Sequence, residues 1–301
     1  MRRKLDSIQM LRGLAASSVV IYHCAHRVNL NWPSLSTQSS LENVGAAGVD
    51  LFFVISGFIM AYTTAERSGL PDSLAFLGNR IRRIYPLYWI WTTVLVALWA
   101  GKLALVGHKY AFTYVLASYL LIPVGNGTVF EPILFQGWTL TYEMLFYLAF
   151  ALTIACGLKS SWRLPALVAT FLFLAALGCA LPPASGIRSV LTNPVLAEFL
   201  LGVLAADLAQ RLSKARLRHL PATLAISGVV LLLASALCQR NHELRWLVWG
   251  GPNFLIVLGA ALQSARLYPG ILVFLGDASY SIYLSHSLVA SFLGKLLNAA
   301  S

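Results

Sequence analysis

Apolar residues in this chain come in long blocks, not in the short alternation of a half-buried strand or the one-sided stripe of a surface helix. A helix crossing a bilayer takes roughly 20 apolar residues. The blocks predict spans near 8–28, 46–65, 84–101, 138–157, 164–182, 191–208, 220–238, 246–263 and 278–297. A further apolar piece, 111–123, falls short of that length. The polar stretches between blocks are too short to hold a soluble domain. The expected architecture is therefore a single all-α domain over residues 1–301. It is a polytopic integral membrane helix bundle of about nine spans plus one segment partly inserted from the outer side.

Composition agrees: 58% of the residues are hydrophobic and only 11% charged, against about 25% in soluble domains. The net charge of +11 would suit a nucleic-acid partner. The simpler reading is the rule that keeps Lys and Arg on the cytoplasmic side, so no nucleic acid is expected. With the N-terminus inside and 111–123 not crossing, 14 basic residues lie inside and 7 outside. If 111–123 crosses, the split falls to 11 against 10, and the cluster Arg211, Lys214, Arg216 and Arg218 faces outward. The first topology is preferred. The Gly- and Pro-bearing stretch 124–137 suits a turn at membrane depth, where protein or a wet cavity covers the backbone. The first span carries Arg12 early and is followed by others, so it does not read as a cleaved signal. Four cysteines, Cys24, Cys156, Cys179 and Cys238, make no CxxC pattern. Neither a disulfide framework nor a metal site is expected. There is no nucleotide-binding glycine loop and no convincing internal repeat.

Ionisable side chains inside the spans carry the chemistry. Arg12 and His23 are eleven residues apart, which returns to the same helix face after a rise of about 16 Å. One face of the first span is thus a polar stripe, with Arg12 near the inner surface and His23 in the outer half. Alone, Arg12 could snorkel to the headgroups, and His23 could be a packing histidine. In "GVDLFFVISG", Asp50 is a carboxylate at membrane depth, or alternatively a helix N-terminal charge. In "NRIRRIYPLYWIW", Arg80 and Arg83 lie one turn apart at the expected inner mouth of the third span. Tyr85 and Pro86 are read as its first turn. The two arginines suit a phosphate clamp or are ordinary inner-side charges. In "GWTLTYEMLFY", Glu143 falls about one and a half turns into a span, near the depth of His23, and shares a face with Tyr147. It is a functional group or a neutral packing acid. Trp138 doubles as an interface anchor. In "LGDASYSIYLSH", Asp277 or Ser279 is placed to cap the last helix. Tyr283 and His286 share a face there. Glu198 lies in the apolar phase of its span, with no partner that the sequence can name.

Together and in order, these blocks resemble the acyltransferase family 3 membrane proteins, which O-acetylate bacterial polysaccharides and lipid-linked sugars. The likeness is closest to the short branch that acetylates exopolysaccharide. The family's arginine, ten residues, histidine signature matches Arg12 and His23, and its RxxR pair matches Arg80 and Arg83. "GVDLFFVISG", "GWTLTYE" and "SYSIYLSH" match in the family's order, from residue 5 to about 290. Members of the family usually end with a further span and an E-x-P element. On that comparison, this chain is expected to lack the last helix.

The resemblance implies an enzyme of the bacterial inner membrane with a cytoplasmic N-terminus. Its co-substrate would be acyl-CoA, most often acetyl-CoA, with no permanently bound cofactor. The acceptor would be a sugar hydroxyl. Arg12, Arg80 and Arg83 would meet the coenzyme A phosphates. His23 would take the hydroxyl proton or carry the acyl group itself. Glu143 would orient the imidazole and stabilise its cation. Asp50, Trp138, Tyr142, Tyr147 and His286 would face the carbohydrate. Polysaccharide biosynthesis or export machinery would be the partner. Two other classes share buried Arg, His and Glu: a transporter, which usually shows repeat-related halves, and a structural subunit of an export complex.

Overall fold

The structure is a computed structural model that describes residues 6–31, 45–105, 107–124, 131–213, 218–235, 244–263 and 268–300. Among these residues, all regular structure is helical, and each predicted span falls on a helix. The elements are α1 (Asp6–Asn31), α2 (Gly48–Thr64), α3 (Leu70–Ala100), α4 (Phe112–Leu120), α5 (Gly137–Ala155) and α6 (Ser160–Cys179). They continue with α7 (Gly186–Leu191), α8 (Leu196–Leu212), α9 (Leu220–Ser235), a π-helical turn (Trp246–Gly250), α10 (Gly251–Leu262) and α11 (Gly270–Ala300). Among the described residues, three helical runs have the length and hydropathy to cross a membrane: Gly137–Ala155, Ser160–Cys179 and Gly186–Leu212. Shorter apolar helices cover Gly48–Thr64, Leu220–Ser235 and Trp246–Leu262.

The chain forms two compact units. One comprises Met1–Thr63 with Ala197–Ser301, the other Thr64–Leu196. In the first, α1 and α11 run side by side in the same direction: Arg12 meets Ser279, and further along His23 meets His286. Small residues let the two backbones touch. A Cβ on Gly276 would lie 1.9 Å from the Gln9 carbonyl oxygen, and one on Gly13 would lie 2.9 Å from that of Leu272. Helices α2 and α8 cross in the same manner at Gly57 and Gly202. There a Cβ would come 2.0 Å from the Phe199 carbonyl oxygen and 2.1 Å from that of Val54, respectively. Asp277 and Ser279 do not cap the last helix as expected. Helix α11 begins at Gly270, so both lie inside it. They turn toward α1 instead, Asp277 to Gln9 and Ser279 to Arg12.

In the second unit α3 and α5 run antiparallel. The Gly69 N–H donates to the Ile154 carbonyl at 2.8 Å, and Ser73 Oγ to that of Ala151 at 2.8 Å. At the other end Gly137 abuts the Tyr88 ring. The chain therefore comes back from α3 in the reverse direction, with α4 the one helix between them among the described residues. A nine-residue helix rises about 13 Å, too little to cross a core of about 30 Å. The last carbonyls of a helix lack partners of their own, and here the Ile122 N–H takes that of Ala117 at 2.9 Å while side chains reach the next three. Tyr88 Oη reaches the Ser118 carbonyl (2.6 Å), Trp89 Nε1 that of Tyr119 (3.0 Å), and Tyr85 Oη that of Leu120 (3.2 Å). Thr141 Oγ1 donates to the carbonyl of Leu121 at 3.2 Å. Pro86 does not sit in a first turn as expected, because α3 already begins at Leu70 and carries Pro86 inside it. Arg163, buried, ties the unit's loops by donating to the carbonyls of Thr64, Arg67 and Leu158.

Candidate functional site

The expected site residues fall into clusters, each inside one unit. In the first unit, continuous α1 keeps Arg12 and His23 on one face. Arg12 is 8% exposed, so it does not snorkel. Its guanidinium donates to Gln9 Oε1 and to Ser279 Oγ, both at 3.0 Å. Gln9 in turn donates to Asp277. The Arg12 end of the stripe is thus a polar chain linking α1 to α11. At its other end His23 is half-buried. Its ring centroid lies 5.0 Å from that of His286, tilted by 36°, and the Tyr22 ring meets it edge-on, also at 5.0 Å. His286 itself is buried.

Asp50 departs from its expected place among the carbohydrate contacts. It is fully buried, and Arg245 takes both of its oxygens at 2.8 and 2.9 Å. The Arg245 guanidinium also lies over the Trp249 ring, 5.2 Å from its centre. Glu198, likewise fully buried, belongs to the same cluster. It packs beside Gly250, where a Cβ would come 3.0 Å from Glu198 Cγ. The π-helical turn thus begins one residue after Arg245 and carries both Trp249 and Gly250. Such turns interrupt helices at specialised places. Sequence reasoning missed Arg245 because it reads as one more loop arginine ahead of an apolar run.

In the second unit, Tyr147 donates its hydroxyl to the Glu143 carboxylate, one turn back on α5. The Arg80 guanidinium stands over the Phe76 and Tyr147 rings, 5.6 and 5.8 Å from their centres. Its Nε is buried and has no hydrogen-bond partner among the described residues. Arg80, Tyr147 and Glu143 thus form one chain of contacts. This corrects the expected separation in depth. Arg80 is ten residues into α3, level with the middle of α5, not at a helix mouth. Arg83 is exposed one turn on. Tyr147 is fully buried, and Tyr142 is nearly so, its hydroxyl joined to Asn193 Nδ2 (3.0 Å) and the Ser189 carbonyl (3.4 Å). Half-buried Trp138 packs edge-on against Tyr142. Of the residues expected to face carbohydrate, Asp50 and His286 are in the first unit; Trp138, Tyr142 and Tyr147 are in the second.

The acyltransferase-domain family matches residues 5–301. The chain is 36% identical over 262 residues to the exopolysaccharide production protein ExoZ of Rhizobium meliloti (strain 1021), covering 84% of this chain and 78% of the relative. It is 27% identical over 293 residues to a protein of Acidianus two-tailed virus named "Putative acetyltransferase", covering 95% and 84%. A "Putative O-acetyltransferase" of Staphylococcus aureus (strain COL) is 24% identical over 333 residues, a match to 97% of this chain and 51% of that protein. No solved structure matches. The family match runs across both units and takes in every cluster described above, so this chain belongs to the acyltransferase family and is an acyl-transferring enzyme.

Proposed function

We propose that the chain is a membrane-embedded O-acetyltransferase of the bacterial inner membrane. It would carry an acetyl group from cytoplasmic acetyl-CoA to a sugar hydroxyl of an exopolysaccharide, lipopolysaccharide or lipid-linked glycan. About nine spans would hold it there, with the N-terminus in the cytoplasm. The observation that carries this reading is His23: a half-buried imidazole, sharing one helix face with an arginine, in a chain matched from end to end by an acyltransferase family. The likeness to a protein named for exopolysaccharide production supports the acceptor class.

In this reading, the acceptor hydroxyl oxygen attacks the thioester carbonyl. The new C–O bond forms and the C–S bond breaks. His23 takes the hydroxyl proton and passes it to the departing thiolate, work for which imidazole is suited near neutral pH. Arg80 and Arg83, with Arg12, supply the positive charge that meets the coenzyme A phosphates. Glu143, held by Tyr147, contributes a negative charge that favours the imidazolium. Carbohydrate contacts remain with Trp138 and its surroundings. Polysaccharide biosynthesis or export machinery would receive the product.

The test is transfer of label from radioactive acetyl-CoA to alkali-deacetylated surface polysaccharide by the purified protein in proteoliposomes. Mass spectrometry of polysaccharide from cells with and without the gene accompanies it. Label in the glycan, lost in His23→Ala, is the expected result. Glycan that stays unlabelled by the wild-type protein and is unchanged in cells lacking the gene would refute the acceptor class.

A further inference from the structure

His286 is the buried group whose geometry is least explained by packing. Its Nδ1 lies 2.6 Å from the Tyr283 carbonyl oxygen. A carbonyl only accepts, so Nδ1 carries the proton, and in the neutral ring Nε2 is left as an acceptor. That Nε2 is buried and has no hydrogen-bond partner among the described residues, on a residue only 6% exposed. Buried polar atoms are almost always paired, and an exception calls for an explanation. A neighbour in ring contact that can supply a donor is His23. With ring centroids 5.0 Å apart and each ring nitrogen about 1 Å from its centroid, the rings are close enough for a rotation of His23 to bring an N–H to the roughly 3 Å of a hydrogen bond. Tyr22 also packs edge-on against the His23 ring, 5.0 Å between centroids.

We infer that His286 is the positioning residue for His23: its Nε2 accepts one N–H of His23 and thereby fixes which His23 nitrogen is left unprotonated. The inference rests on the proposed role of His23 as the proton acceptor. A catalytic imidazole needs one nitrogen toward its substrate and a partner holding the other. Here the holder is a second imidazole, itself held by the Tyr283 carbonyl. The order Tyr283 carbonyl, His286, His23 runs from sealed interior to a half-open ring. When His23 takes the hydroxyl proton, it keeps its N–H toward His286, so the arrangement need not change during the reaction. Orientation is then assigned within the first unit.

Three variants and one spectroscopic readout test this with the full chain in proteoliposomes. His286→Asn keeps a donor near the Nδ1 position and removes the Nε2 acceptor. His286→Gln places an amide near Nε2. His286→Phe keeps the bulk and removes both. With radioactive acetyl-CoA and deacetylated polysaccharide, Asn and Phe should lower kcat by about 100-fold or more, the scale on which loss of a general base is felt. Their KM for acetyl-CoA should be unchanged, and Gln should recover at least tenfold of that loss. In ¹⁵N-histidine spectra, His23 should show one tautomer in the wild type and a mixture in His286→Phe. Wild-type kcat in both Asn and Phe would overturn the inference. So would a His23 tautomer that His286→Phe leaves unchanged, even where activity is lost. If His23→Ala still transfers acetyl, the proposed chemistry fails, while the tautomer measurement still judges the histidine pair by itself.

Discussion

Asp50 and Arg245, 195 positions apart in sequence, form a two-pronged ion pair in which both carboxylate oxygens are taken and the carboxylate is fully buried. Removing one partner strands the other as an uncompensated buried charge, which costs about 3–5 kcal/mol. Arg245→Gln should therefore lower thermal stability in detergent strongly. The double variant Asp50→Asn/Arg245→Gln should regain most of the loss, because two neutral amides can bond to each other. A double variant no more stable than Arg245→Gln alone would show that the pair does not hold the fold.

The aromatic cluster on α3 makes a second prediction. Tyr88 is fully buried and gives its hydroxyl to the Ser118 carbonyl. Tyr88→Phe keeps the ring and leaves that carbonyl only the longer bond from the Leu121 N–H (3.3 Å), at a cost of about 0.5–1.5 kcal/mol for the lost hydrogen bond. The damage should be confined to α4 and its surroundings. Limited proteolysis should then cut residues 107–124 first. Uniform loss of protection along the whole chain would contradict a local role.

Helix directions give the third. Antiparallel α3 and α5 bracket α4, and α1 and α11 run parallel, as the proposed topology requires of its first and last spans. Topology reporters fused after Lys109 and after Glu131 should therefore read the same, outer side. A reporter after Arg218 should read the cytoplasmic side. Opposite readings at Lys109 and Glu131 would mean that the intervening segment crosses.

Helix positions were largely legible because long apolar blocks leave few alternatives. Boundaries were less so. Apolar content marked 84–101, yet α3 starts at Leu70 with Pro71 in its first turn, since a helix continues through polar residues wherever packing supports it. The same oversight misplaced Pro86, the Asp277 cap and the depth of Arg80. Of the site, the shared face of Arg12 and His23 followed from spacing alone. The pairing of Asp50 with Arg245 did not, because nothing local relates residues so distant in sequence. Nor did the approach of His286 to His23, which depends on how closely Gly13 and Gly276 let two helices lie. Tyr85, Tyr88 and Trp89 offered a usable signal: polar-tipped aromatics on one side of a helix need something to bond.

The chain of contacts from Arg80 through Tyr147 to Glu143 yields the last prediction, in which the three residues separate by what each loses. Arg80→Ala removes a guanidinium that stands on two aromatic rings. It should weaken acetyl-CoA binding by about 1.5–3 kcal/mol, the range for hydrogen bonds to charged groups. Arg80→Lys should rescue this only in part, because an ammonium lacks the flat fork that stacks and bonds in pairs. Glu143→Gln keeps shape and removes charge. If that charge favours the imidazolium, turnover should fall roughly 100- to 10,000-fold with little change in donor KM. Tyr147→Phe leaves the carboxylate and deletes only the hydroxyl that holds it. Its loss should lie between wild type and Glu143→Gln, at about 1.5–3 kcal/mol for a bond to a charged group. Steady-state kinetics with varied acetyl-CoA and fixed deacetylated polysaccharide separates the effects. Full turnover in Glu143→Gln would remove the carboxylate from the chemistry and leave Tyr147 and Glu143 as a packing pair beneath Arg80.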